Sequence, residues 1–214
     1  QIADAGELFD FWNQLHWVAH ERPTGPEGLR RIVERCEEID FEEVGARYLE
    51  QTQWRARGRK FYIDKLPSNI QKVAFIRRAL PGAPILHMVR DPMDVCFSNL
   101  RNFVVPAYGL ESVEHKFRVY RRLCDHWRAC APDSMMDIVY SSLVTNPRSV
   151  MEQVLRQCGL EMEEACLHPE RNLSPVGTPS SAQVREPIHN RSIGQWERYS
   201  SPLQPLREAI ADIL

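Results

Sequence analysis

Apolar positions change their spacing several times along the chain, and each change marks an expected element. Leu8, Phe11, Trp12 and Leu15 recur at three and four residues within "AGELFDFWNQLHWVAH", which predicts an amphipathic helix over 5–20. Two more helices are expected around 26–38 and 40–53, with Glu and Arg on their outer faces. "KFYIDK" at 60–65 is a short β-prone run ended by Leu66-Pro67. Ile70, Val73, Ala74, Arg77 and Leu80 then line one side of a predicted helix over 69–80, which Pro81-Gly82 stops. "PILHMV" at 84–89 is apolar enough for a strand buried on both faces.

This strand, helix, strand order predicts a parallel, right-handed unit, with Lys65 and Arg90 leaving one sheet edge at the C-terminal ends of their strands. Open α/β sheets bind ligands at that edge. Asp91 caps the next predicted helix, Pro92 suits its first turn, and Met93, Cys96, Phe97 and Leu100 form its inner face with Ser98 beside it. A long helix is expected over 113–130, a strand over 136–140, and a helix opened by Asn146-Pro147 and closed by Gly159. Residues 169–192 are rich in Pro, Ser, Asn and Gly and read as a long loop, followed by a helix over 202–213 capped by Ser201. The pattern is that of one α/β domain over residues 1–214, with the segment 169–214 part of it.

Composition narrows the function. With 27 basic and 29 acidic residues the formal charge is −2, so no global field attracts nucleic acid or an anionic membrane. Any anion site is local. No apolar run reaches the ~20 residues of a bilayer span, and "QIADAGELFD" lacks the layout of a signal peptide. Six scattered cysteines read as buried thiols of a reducing compartment. A cytoplasmic location is expected.

A guanidinium at a strand-to-helix junction offers a planar fork of donors to a phosphate. Taken alone, Arg90 is equally well read as the partner of a nearby carboxylate, and Lys65 as a solvated strand end. The stretches "DKLPSN", "HMVRDPMDVCFSNLR" and "IVYSSLVTNPRSVMEQVLRQCGL" resemble the core of the PAPS-dependent sulfotransferases (PAPS is 3′-phosphoadenosine-5′-phosphosulfate, PAP its desulfated product). The likeness is nearest to the protein-tyrosine sulfotransferases and to bacterial sulfotransferases associated with helical repeats, and it covers residues 1 to about 200. It implies a P-loop-NTPase-like three-layer sandwich, a parallel central sheet flanked by helices, and a bacterial cytoplasmic protein, with the Golgi lumen as the alternative.

The resemblance also implies roles. Arg90 and Ser98 match the pair that binds the 3′-phosphate, Lys65 the lysine on the sulfuryl group and leaving phosphate, and Tyr140 a nucleotide contact, without the glutamate that follows it in the family. Ser180, Gln183 and Val184 match a serine-containing loop that closes over the nucleotide ahead of Trp196, with Gln195 where the tyrosine enzymes carry a lysine. Glu7 matches the general base. The implied reaction transfers a sulfuryl group from PAPS to an acceptor hydroxyl (protein tyrosine, carbohydrate or small molecule) and needs no metal. The family's 5′-phosphosulfate loop and its strand would precede Gln1, so a longer polypeptide is expected.

Three rivals remain open from the sequence. A non-catalytic PAP- or nucleotide-binding module is the alternative function. A nucleotide kinase needs a glycine-rich loop with Lys and Ser/Thr, and the sequence contains none. A metal site could use His16 and His20 in "HWVAH", or Cys124, His126 and Cys130 in "CDHWRAC", but ordinary core or surface roles are the simpler reading.

Overall fold

The computed structural model describes residues 1–102, 109–172 and 185–214. The chain divides into two compact units, Gln1–Ala83 and Pro84–Leu214. Among the described residues each holds one pair of parallel strands. The loop residues Ser180, Gln183 and Val184 lie outside the described residues.

In the first unit β1 (Ile2–Gly6) pairs in parallel with β2 (Phe61–Asp64). The ladder slips at Ala5: Asp4 faces Ile63 while Gly6 faces Asp64. One extra residue in β1 makes this a bulge, which increases local twist and re-aims the next side chain. Gly6 takes φ +82° there, a conformation open to glycine at no steric cost, and its N–H is held by Asp4 Oδ1 at 2.9 Å. Helices α1 (Asp10–Val18), α2 (Pro26–Glu34), α3 (Phe41–Thr52) and α4 (Val73–Ala79) complete the unit. Their shared core contains Phe11, Leu15, Ile32, Val44, Tyr48 and Phe75. Asp40 caps α3 by accepting from Glu43 N at 3.0 Å.

Two expectations change here. The helix anticipated over 5–20 is a strand followed by the shorter α1, and the exposed His20 lies past its end, so it shares no helix face with the buried His16. The segment 69–80 opens with a tight 3₁₀ turn, Pro67–Lys72, before α4 begins. Three residues per turn instead of 3.6 rotate the following face. The buried side therefore carries Lys72, Val73, Phe75 and Ala79, and Ala74 is exposed.

In the second unit β3 (Leu86–Val89) pairs in parallel with β4 (Met136–Val139), Val89 opposite Val139. Helices α5 (Pro92–Arg101), α6 (Leu110–Cys130), α7 (Tyr140–Thr145), α8 (Pro147–Gln157) and α9 (Gln204–Ala209) follow. Met93, Cys96, Val113, Phe117, Leu206 and Ile210 form its core. Asp91 caps α5 as expected, accepting from Asp94 N at 2.8 Å with Pro92 in the first turn.

The pairing corrects the expected sheet. Among the described residues β2 pairs with β1 and β3 with β4, so the two strands flanking α4 do not pair with each other. Nor is β3 buried on both faces: Leu86 and Met88 are exposed, because a two-stranded sheet leaves one face open. Ser201 does not cap α9, whose preceding residue is Leu203 with no side-chain cap. All six cysteines are free thiols, of which Cys96 and Cys124 are buried and Cys130 is exposed.

Candidate active site

Parallel pairing fixes where β1 and β2 deliver their next residues. Gly6 lies opposite Asp64, so Glu7 and Lys65 emerge side by side at the C-terminal edge of the pair, where Lys65 N donates to Gly6 O at 2.9 Å. The Lys65 ammonium is ion-paired with the Glu7 carboxylate. Both side chains reach solvent, at 60% and 38% exposure, so the pair adds little to stability and both groups are open to a substrate.

Asp64 holds this edge together, a role the sequence reading missed although the residue adjoins Lys65. Its Oδ1 accepts from Leu8 N at 3.2 Å and its Oδ2 from the Tyr48 hydroxyl at 3.0 Å. One carboxylate thus fixes the residue after Glu7 to the residue before Lys65. Burial raises the Asp64 pKa, against the hydrogen bonds from Leu8 and Tyr48 and the nearby charge of Lys72. The buried Lys72 is pushed down by the same desolvation. Its ammonium donates to Asn69 Oδ1 at 3.3 Å and lies 5.2 Å from the Trp12 ring centroid.

The second strand pair repeats the arrangement. Val89 faces Val139, so Arg90 and Tyr140 leave the same C-terminal edge, and the Arg90 guanidinium lies 5.0 Å over the Tyr140 ring. Arg90 Nη2 donates to the Ser192 carbonyl. Asp94, four residues on, stands 3.8 Å away and is almost fully buried, with Oδ2 accepting from Gly194 N at 2.8 Å. Arg90 Nε is buried with no hydrogen-bond partner among the described residues. A buried unpaired donor on a guanidinium is costly, and an anionic or water oxygen would satisfy it; Asp94 Oδ1, on the carboxylate that pairs with Arg90, is likewise buried without a partner among the described residues.

Ser98 follows Asp94 by four residues and therefore lies on the same side of α5. Its hydroxyl accepts from Asn102 Nδ2 at 3.3 Å, and no hydrogen bond joins it to Arg90. Arg90 and Tyr140 are thus brought into contact, while Ser98 stands along the helix from them. Asp94 and the backbone of 192–194 were not legible as parts of the site. The spacing of four between Arg90, Asp94 and Ser98 is the signal that could have found the first.

Among the described residues no group of three or more His, Cys, Asp and Glu is placed to hold an ion, at His16 and His20 or at Cys124, His126 and Cys130. Nor is any described helix long and apolar enough to cross a membrane.

The model of the sulfotransferase family matches residues 10–164. The chain belongs to the sulfotransferase family. The matched span takes in Lys65, Arg90, Ser98 and Tyr140 and begins just after Glu7. Among sulfotransferase relatives, the protein-tyrosine sulfotransferase of Drosophila melanogaster is 26% identical over 148 residues, covering 62% of this chain and 29% of that protein. Protein-tyrosine sulfotransferase 1 of Danio rerio is 22% identical over 147 residues, covering 64% and 41%. An uncharacterized protein of Aquifex aeolicus is 28% identical over 205 residues, covering 92% of this chain and 26% of its own length. The chain thus spans about a quarter to two-fifths of these relatives.

The sulfotransferase domain of the Synechococcus PCC 7002 olefin synthase superposes with a TM-score of 0.58 at 20% identity, over 100% of this chain and 96% of that one. The sulfotransferase domain from the curacin biosynthetic pathway gives 0.56 at 16%, over 94% and 78%. The fold is therefore the α/β, P-loop-like sulfotransferase sandwich anticipated from the sequence.

Proposed function

We propose that the chain carries out PAPS-dependent sulfuryl transfer to an acceptor hydroxyl, releasing PAP. One observation carries the reading. Each of the four parallel strands among the described residues is followed at once by a residue of the implied machinery: Glu7 after β1, Lys65 after β2, Arg90 after β3 and Tyr140 after β4. Residues in this position stand at the ligand-binding edge of α/β sheets.

Arg90 and Ser98 hold the 3′-phosphate in this reading, and Tyr140 packs against the same guanidinium. The buried, unpartnered Arg90 Nε fits an anionic group. PAPS supplies an activated sulfuryl group, whose bond to the phosphate oxygen breaks as the bond to the acceptor oxygen forms. Glu7 takes the acceptor proton, and Lys65 neutralises the charge left on the phosphate oxygen. The ion pair that sets Glu7 and Lys65 next to each other supports giving them neighbouring tasks. The chemistry asks nothing of a metal, and the acceptor is a protein tyrosine, a carbohydrate or a small molecule.

Transfer of labelled sulfate from PAPS tests the activity, and calorimetry with PAP tests the site. Glu7→Gln is expected to lower turnover by about 10²–10⁴-fold with PAP affinity unchanged. Arg90→Ala is expected to weaken PAP by about 1.5–3 kcal/mol, the range of a hydrogen bond to a charged group. PAP binding without transfer to any acceptor class would favour the nucleotide-binding module. Unchanged PAP affinity in Arg90→Ala removes the central assignment.

A further inference from the structure

Residues 51–63 carry no acidic side chain and four basic ones, Arg55, Arg57, Arg59 and Lys60, all between the end of α3 and the start of β2. The chain leaves α3 through a 3₁₀ turn, Gln53–Ala56, and reverses at Arg57 and Gly58, which take φ +51° and +76°. Arg57 N donates to Trp54 O at 3.2 Å and Arg59 N to Ala56 O at 2.8 Å, so the backbone of the turn is fixed. Its side chains face solvent. Arg57, Arg59 and Lys60 are exposed, as are Trp54 at 65% and Phe61 at 38%. The Arg55 guanidinium lies 4.6 Å from the Trp54 ring centroid and the Lys60 ammonium 5.0 Å from that of Phe61.

Among the described residues none of these four cations is paired with a carboxylate, whereas Arg30, Arg31, Arg35 and Arg47 of the same unit each are. The formal charge of −2 is a sum over the whole chain, and at this turn the local charge is strongly positive. An anionic partner would balance it. The exposed rings beside the cations narrow its class, since the interface of an anionic bilayer takes aromatic side chains at headgroup level and attracts basic ones. A nucleic acid strand would run along a groove, and a protein carboxylate would meet a guanidinium held as a fixed fork. Residues 53–61 form one turn, and the Arg57 and Arg59 side chains have no hydrogen bond or ion pair among the described residues. Diffuse attraction to a charged surface asks for nothing more.

We propose that the turn over 53–61 is a docking surface for an anionic lipid bilayer, its aromatic rings seated among the headgroups and its cations held by the headgroup charge. The four residues of β2 separate this turn from Lys65 by about 13 Å of strand, so docking at the amino-terminal end leaves the carboxyl-terminal edge open. Docking does not depend on what that edge binds.

Sedimentation of the 214-residue chain with vesicles tests it, one set of phosphatidylcholine alone and one with about 30% phosphatidylserine added. The chain is expected on the second set and not on the first, and added salt should release it. Arg57→Gln with Arg59→Gln should weaken binding about 25-fold, roughly fivefold for each cation removed. Arg57→Lys with Arg59→Lys should keep it, because the attraction is to charge and not to the shape of a guanidinium. Arg148→Gln, at an exposed arginine already paired with Glu164, should bind as the unaltered chain does. Anionic vesicles should also move the tryptophan emission to the blue, and Trp54→Phe should remove that shift although Trp12, Trp17, Trp127 and Trp196 remain. No preference for the anionic vesicles, undiminished binding by the double glutamine variant, or an equal loss in Arg148→Gln overturns the proposal. Binding to polyuridylate or polyglutamate but to neither vesicle set assigns the turn to a nucleic acid or an acidic protein and overturns it as well.

Discussion

Replacing Asp64 by asparagine perturbs the clamp behind the Glu7–Lys65 pair and little else. The side chain keeps its size, but one of two acceptor oxygens becomes a donor. The carboxamide would keep its oxygen on Leu8 N, leaving the Tyr48 hydroxyl, on a residue only 4% exposed, to accept instead of donate. One hydrogen bond to a charged group is lost, about 1.5–3 kcal/mol, and part is returned because a buried charge disappears. The expected net cost is about 1–2 kcal/mol, against about 3–5 for Asp64→Ala, which strands both donors. The pH dependence carries the sharper test. Burial raises the folded Asp64 pKa above its unfolded value, so the folded state binds the proton more readily and the ionised form costs stability. As pH falls through the raised folded value the native protein regains that stability and the asparagine variant does not. The gap between them therefore widens with acidification and levels off below the unfolded value of about 3.9. Urea unfolding at a series of pH values measures it. A gap that narrows as pH falls would mean that hydrogen bonding outweighs burial at this carboxylate, and the reasoning would be refuted.

Lys72→Met should lower stability at neutral pH by up to about 3 kcal/mol, since it leaves the half-buried Asp64 carboxylate without the nearby ammonium charge and removes the cation from the Trp12 ring. Because the folded Lys72 pKa is depressed, native stability should also climb as pH rises from that value towards the unfolded value of about 10.4, and the methionine variant should lack the climb in alkaline melts. Gly45→Ala places a Cβ 2.1 Å from the Ala79 carbonyl oxygen, so α3 and α4 must separate, and chemical denaturation should show a loss of about 1–3 kcal/mol or more. Glu7→Gln breaks an exposed ion pair, and its unfolding free energy should stay within about 1 kcal/mol of the native value even as turnover falls.

What could be read in the sequence was what local chemistry decides. Asp91 and Pro92 open α5 because a cap and a first-turn proline need only their immediate neighbours. Strand β1 was hidden for the opposite reason. "IADAG" offers one β-branched residue, and its ladder partners lie nearly sixty residues away in β2. The buried face of α4 was misphased because periodicity assumes 3.6 residues per turn from the start, and the 3₁₀ turn before it does not obey. Arg90 and Tyr140 were legible one at a time, while their stacking depends on the Val89–Val139 register, which no linear spacing encodes.

The same distinction separates the residues that carry the proposed chemistry from those that hold them. Glu7, Lys65, Arg90 and Tyr140 follow strand ends, where the ladder fixes the backbone and the next side chain is free to meet a ligand. Behind each pair lies a carboxylate more buried than the pair itself: Asp64 on Leu8 N and the Tyr48 hydroxyl, Asp94 on Gly194 N. Each carboxylate bonds a backbone N–H, and burial makes those bonds hard to replace by water. Their loss should therefore appear first as looser placement of the neighbouring cation and only then as unfolding. Substituting the supporting acids tests placement, and substituting the exposed residues tests chemistry.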